Sequence, residues 1–116
     1  MSIAISEEVA LSSTEISALP WRPMDGVAGV YVKTLWSDAG EGSYAGLMKM
    51  VPGAYVPLHT HRSASHHVWV ESGSAHVGDR TFGTGSYVHV PIGIEHGIDE
   101  AGPGGCTLLY LYLKKG

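Results

Sequence analysis

Four of the seven histidines in this chain, His59, His61, His66 and His67, fall within nine consecutive positions of the stretch PLHTHRSASHHVWVESG (57–73). Neutral imidazole is a good ligand for zinc, copper, iron and nickel, so a cluster of this kind first suggests a late first-row divalent metal. Several histidines buried together without an ion would leave ring nitrogens unpaired, or force like charges together if protonated. Strand geometry sorts the four, because side chains two residues apart share a face. His59 and His61 flank Thr60 and point the same way. After RSAS, His66, Val68 and Val70 share one face, while His67, Trp69 and Glu71 share the other. If the valine face looks inward, His66 is delivered beside His59 and His61. Farther on, PIGIEH brings His96 to the end of another strand-and-turn unit. A lone His-x-His pair is commonly no more than a polar strand face; the wider pattern, His59, His61, His66 and His96, reads as a metal site.

The elements that must hold these side chains are short strands. From Trp21 onward, runs of Val, Tyr, Thr, Leu and Trp alternate with glycine and proline turns. Candidate strands are 29–36, 44–51, 55–61, 66–72, 74–78, 80–83, 86–91 and 106–113, with turns at DAGEG, PG, ESG, GD, GTG, PIG and GPGG. About eight strands at this spacing predict an all-β sandwich or barrel, closed enough to hide its edges. Residues 1–20, rich in Ser, Ala, Glu and Ile, read as a loosely ordered N-terminal arm in which Ser12 or Ser13 ahead of Glu15 resembles a helix cap; residues 21–116 read as the one domain. There is no tandem repeat.

Composition narrows the function. A formal net charge of -4 and no Lys/Arg cluster argue against a nucleic-acid surface, which needs concentrated positive charge. No run approaches the roughly 18 apolar residues that span a bilayer, and MSIAISEEVALSS carries acids where a signal peptide would carry Lys or Arg, so a cytoplasmic protein is expected. The single cysteine, Cys106, lies in the apolar run CTLLYLYL and reads as buried packing.

Two blocks carry a family resemblance. Gly53, His59, His61, His66 and Gly73 match the spacing of the first cupin motif, G-x5-H-x-H-x4-E-x6-G, with histidine in the glutamate position. Gly85, Pro91, Gly93 and His96 match the second, G-x5-P-x-G-x2-H-x3-N, with Glu100 where asparagine is usual. The flanks LPWRPMDGVAGVYVKTLWSD and GLMKMVPGAYVPLHTH are similar to the cupin subgroup that includes the ChrR-type anti-sigma-factor domain and the acetylacetone and dihydroxyacetophenone dioxygenases. The resemblance implies an antiparallel jelly-roll β-barrel, often a homodimer, with one metal in its lumen. His59, His61 and His96 then correspond to the family's three histidines, and His66 stands where the family has a glutamate ligand. Four neutral histidines would leave the site near a charge of +2, which favours Lewis-acid activation or capture of an anionic bidentate substrate such as an enolate.

The resemblance implies a metal-dependent enzyme for a small oxygenated carbonyl compound. The leading case is a dioxygenase cleaving a diketone or hydroxyketone; the alternatives are a non-redox zinc or nickel cyclase, isomerase or lyase, and a non-catalytic metal-binding sensor. Iron, zinc or nickel are the expected metals, with manganese and copper also compatible. Tyr44, Met48, Met50 and Tyr55 are the candidates for contact with substrate, on strands near the motif. Trp36 and Tyr87 are further candidates, and all of these could equally be core. Glu95 could serve as an acid or base, or simply be a solvated loop carboxylate. His67, His76 and His89 read as surface residues, and Lys49 and Arg62 as surface charges. No catalytic base is assigned. A small molecule is the expected partner, with a second copy of the chain contacting the apolar C-terminal strand.

Overall fold

The computed structural model describes residues 9–38, 40 and 42–114. In chain order the elements are α1 (Ser13–Ala18), β1 (Arg22–Pro23), β2 (Val30–Ser37), β3 (Tyr44–Met50), β4 (Val56–His59), β5 (Ala64–Val77), β6 (Arg80–Gly83), β7 (Tyr87–Val90), β8 (His96–Ile98) and β9 (Glu100–Lys114). All pairings are antiparallel. The larger sheet runs β1-β2-β3-β9-β5-β6 with β7 also on β5, and β4 pairs with β8 in a second, two-stranded sheet. This is the all-β jelly-roll expected from the sequence.

The alternation is read directly in the packing. Val30, Met50, Val70, Cys106 and Leu108 form a buried apolar cluster with Ala54, Val56, Ala75 and Ala101. Burial of such side chains is the main stabilising term, about 25 cal/mol per Å² of apolar surface removed from water. Two segments predicted as separate strands, 66–72 and 74–78, are one strand, β5. Glu71, Ser72 and Gly73 have turn-like composition, yet here they mark register shifts against β9 rather than a chain reversal. Gly73 shows why a glycine stands there: its φ is +76°, and a Cβ would overlap the carbonyl of Gly105 on the facing strand. The three-residue strand β8 and the two-residue strand β1 were not predicted; both are too short for a period to show.

Residues 1–8 of the expected arm lie outside the described residues. The remainder of the arm holds α1, capped as the sequence suggested: Ser12 Oγ accepts from the Glu15 N–H, and Glu15 Oε1 accepts from the Ser12 N–H. Lys33 of β2 fixes the arm to the outer face of the sheet. Its Nζ donates to the carbonyls of Ile16 (2.8 Å) and Leu19 (3.3 Å) and lies 4.4 Å from the centroid of the Trp21 ring. No helix among the described residues is long and apolar enough to cross a membrane.

Candidate metal centre

Four histidines from both sheets meet in one cavity of about 480 Å³. β4 ends on His59, His61 follows it, β8 begins with His96, and β5 carries His66. His59 and His96 are directly paired across β4 and β8, so sheet pairing alone brings the two sequence blocks together. A further tie comes from the turn of the second block, where Gly93 at φ +83° hands its N–H to the His61 carbonyl at 2.9 Å.

Two of the rings are oriented by the backbone. His59 Nδ1 lies 2.8 Å from the Pro57 carbonyl and His96 Nδ1 lies 2.9 Å from that of Ile94. A carbonyl only accepts, so Nδ1 is the donor in both rings and the Nε2 of each neutral ring is left with its lone pair. Nε2 of His61, His66 and His96 is buried without a hydrogen-bond partner. Three such orphaned nitrogens would be costly in an empty polar sense and are what a divalent ion satisfies. Ligand atoms of His59, His61 and His96 lie within 4.8 Å of one another, so these three histidines are positioned to bind one metal ion. His66 stands beside them, its ring centroid 4.3 Å from that of His61 and 5.4 Å from that of His96.

Burial also favours the neutral form of three of the rings, His61, His66 and His96. Burial pushes His66 down to about 3, assisted by the neighbouring rings of His61, His96, His59 and His67. His61 is lowered by burial and then by His59 and His96; His96 is lowered by burial, with its hydrogen bond to Ile94 acting the other way. Deprotonated imidazole is the ligating form, so these three rings are ready for a cation at neutral pH.

Around the histidines the wall is apolar. Val68 and Val70 line it as the alternation predicted, Val88 and Val90 join them from β7, and Tyr44 and Met48 from β3. Met50 does not: it shares the face of Met48 but lies past the cavity, 1% exposed between Val30 and Cys106 in the core. Tyr55 does not either, being 57% exposed because it alternates outward between buried Ala54 and Val56. Trp36 and Tyr87 are exposed and lie off the cavity, as do Glu95 and Arg62. Lys49 is on the outer face over Trp21 and Tyr31. His67 faces away from the metal cluster, with Nδ1 2.6 Å from Tyr87 Oη and its ring stacked on His89 at 4.6 Å. His76 is exposed, 3.2 Å from Thr81 Oγ1.

Two tyrosines of β9 escaped the sequence reading. Tyr110 lines the cavity, and Tyr112 stacks on Tyr44 at 4.9 Å while meeting the rings of His61 (5.0 Å) and His66 (5.1 Å) at their edges. Tyr110 lies over Gly46, its cross-strand partner, where a Cβ would come within 2.8 Å of the hydroxyl. The signal was present: Leu108, Tyr110 and Tyr112 share the face of Cys106. Burial, with Tyr44 nearby, pushes the Tyr110 hydroxyl up to about 12, and burial followed by Tyr112 raises Tyr44, so both are hydrogen-bond donors rather than phenolates.

An antiparallel barrel with imidazoles converging in its lumen defines a cupin. The chain matches the ChrR cupin-like domain over residues 10–114 and belongs to that family. Similar solved structures include an RmlC-like cupin from Shewanella frigidimarina NCIMB 400, 22% identical with a TM-score of 0.72, covering 85% of this chain and 86% of that one. The anti-sigma ChrR of Rhodobacter sphaeroides, solved in complex with SigE, is 26% identical with a TM-score of 0.67 over 82% of this chain. The match spans about half, 49%, of that longer chain. The polyketide cyclase RemF from Streptomyces resistomycificus is 20% identical with a TM-score of 0.73, covering 91% of this chain and 81% of its own. A sequence comparison with curated proteins returns no match.

Proposed function

We propose that this cupin is a metal-dependent enzyme that binds a small oxygenated carbonyl compound as its enolate at His59, His61, His66 and His96, with oxygen-dependent cleavage of a diketone or hydroxyketone as the leading case. The observation that carries the reading is the set of unpartnered Nε2 atoms opening into an otherwise apolar lumen. A divalent metal held by these nitrogens would supply Lewis acidity toward a carbonyl or enolate oxygen and, if iron, reactivity with dioxygen. Four neutral ligands preserve the cation's full charge, which draws an anionic head group into a wall that has no charge of its own. Among the described residues no carboxylate lines the cavity to serve as a carbon base. That suits a substrate acidic enough to lose its proton on binding. Tyr44 and Tyr110, held neutral, can donate to the second substrate oxygen.

The experiment is elemental analysis of protein purified without a metal-affinity tag, followed by oxygen uptake with a 1,3-diketone. Iron content and one dioxygen consumed per carbon–carbon bond broken support the reading, while a zinc-filled protein that leaves oxygen untouched overturns it. That second result would favour a non-redox cyclase, isomerase or lyase, a reading supported by the fourth histidine and by the structural similarity to RemF. Retained metal with no turnover would favour a sensor, in keeping with the similarity to ChrR. We take the protein to act in the cytoplasm as a homodimer. The outward row Leu109, Leu111 and Leu113 on β9 supports the second part, and sedimentation tests it.

A further inference from the structure

The polar groups of the cavity are gathered at one end. Its four histidines, Tyr44 and Tyr110 are the only polar side chains among the described lining residues; no Lys, Arg, Asp, Glu, Ser, Thr, Asn or Gln contributes. The wall next to them is apolar: Val90 stands opposite His66, Val88 opposite Val68 and Leu108 opposite Val70. A volume of about 480 Å³ holds on the order of 15 water-sized units at about 30 Å³ each. A five-carbon diketone, with about seven nonhydrogen atoms, would leave about half of it unfilled.

We infer that the cavity selects an apolar molecule of about a dozen nonhydrogen atoms that carries its oxygens at one end, such as an aryl-substituted enolisable ketone, and rejects charged or hydroxyl-rich carbonyl compounds. For the head group this rests on the proposed enolate binding at the histidines; for the tail it rests on the wall alone. Each methylene moved from water into such a wall raises affinity about fourfold. Each hydroxyl placed there finds no partner and lowers affinity about tenfold.

Zinc-loaded protein, which cannot turn over a redox substrate, allows binding to be measured by calorimetry. The probes are 1-phenylbutane-1,3-dione, pentane-2,4-dione, 2-oxoglutarate and fructose. The phenyl diketone is expected to bind at least about 10-fold tighter than pentane-2,4-dione and at least about 100-fold tighter than 2-oxoglutarate or fructose. Val88→Asp, which changes the wall opposite Val68, should weaken the phenyl diketone about 10-fold and leave pentane-2,4-dione within about twofold. Equal affinity for the two diketones, or binding of 2-oxoglutarate or fructose as tight as the phenyl diketone, overturns the inference. The two layers separate with metal-free protein. If the phenyl diketone binds it as tightly as the zinc form, the head-group reading falls and the tail selectivity stands. If binding requires zinc but ignores the phenyl group, the tail selectivity falls and the head-group reading stands.

Discussion

The rings of His61 and His66 lie 4.3 Å apart, tilted by 44°, and each turns a buried, unpartnered Nε2 toward the lumen. One of them belongs to the tight three-histidine group and the other stands at the position where the cupin motif has glutamate. Their different placement predicts different consequences of removal.

His61→Ala or His96→Ala should reduce bound metal to less than about a tenth of the wild-type content, because either breaks the tight three-histidine group and leaves only two of its members with His66 beside them. His66→Ala should weaken binding by about 10- to 100-fold without abolishing it. His67→Ala, on the outer face, should leave metal content unchanged. Equilibrium dialysis with zinc and elemental analysis read all of these; unchanged affinity in His66→Ala would show that the fourth imidazole is not a ligand.

Tyr112 touches the edges of both His61 and His66 and stacks on Tyr44. Removing its ring should release both imidazoles, so Tyr112→Ala is expected to lose about 10- to 100-fold in zinc affinity. Tyr112→Phe keeps the ring and should restore it. Equal loss in both variants would assign the effect to the hydroxyl instead.

In metal-free protein the cluster makes stability fall with acid. His66 stays neutral in the fold down to about pH 3, whereas in the unfolded chain it takes its proton near 6.5; His61 and His96 shift in the same direction. Between those values the unfolded state holds more protons, so stability is fullest above pH 6.5 and drains as the pH falls. Thermal midpoints measured from pH 7 to 5 should decline steadily, and His66→Leu should flatten the slope. A wild-type profile flat over that window would contradict the burial of these rings.

Gly73→Ala should destabilise the fold by about 3 kcal/mol or more, since it combines a strained φ with overlap against the Gly105 carbonyl. Gly78→Ala serves as the comparison: its φ is +62°, but a Cβ there meets nothing within 4 Å, so only the smaller backbone penalty applies. Urea midpoints separate the two, and equal shifts would remove the role of the close approach.

How much of this was legible in the sequence follows from the reach of each signal. Period-two alternation is local, so Val68 and Val70 inward and His67 outward were readable without a fold. The spacing of the two glycine-histidine blocks carried the convergence of His96 on His59, although β8 is too short to announce itself. Register across strands is not local. Met50 and Met48 share a face, yet only the pairing of Met50 with Val30 and Cys106 tells which lies beyond the cavity. Tyr112 was invisible as a neighbour of His66 for the same reason: they are partners across β5 and β9, 46 positions apart in the chain. The ESG stretch misled because a bulge and a turn use the same residues.

β9 lies between β3 and β5 in the larger sheet, and its pairing with β5 extends from Ala64↔Lys114 to His76↔Glu100. Every histidine of the cluster precedes it in the chain. Folding must therefore wait for a distant segment before the wall bearing His66 can close, a non-local step of the kind that slows all-β proteins. A nascent chain stopped before Glu100 already carries the four imidazoles but has no barrel in which to gather them, so metal loading belongs after synthesis of the last strand.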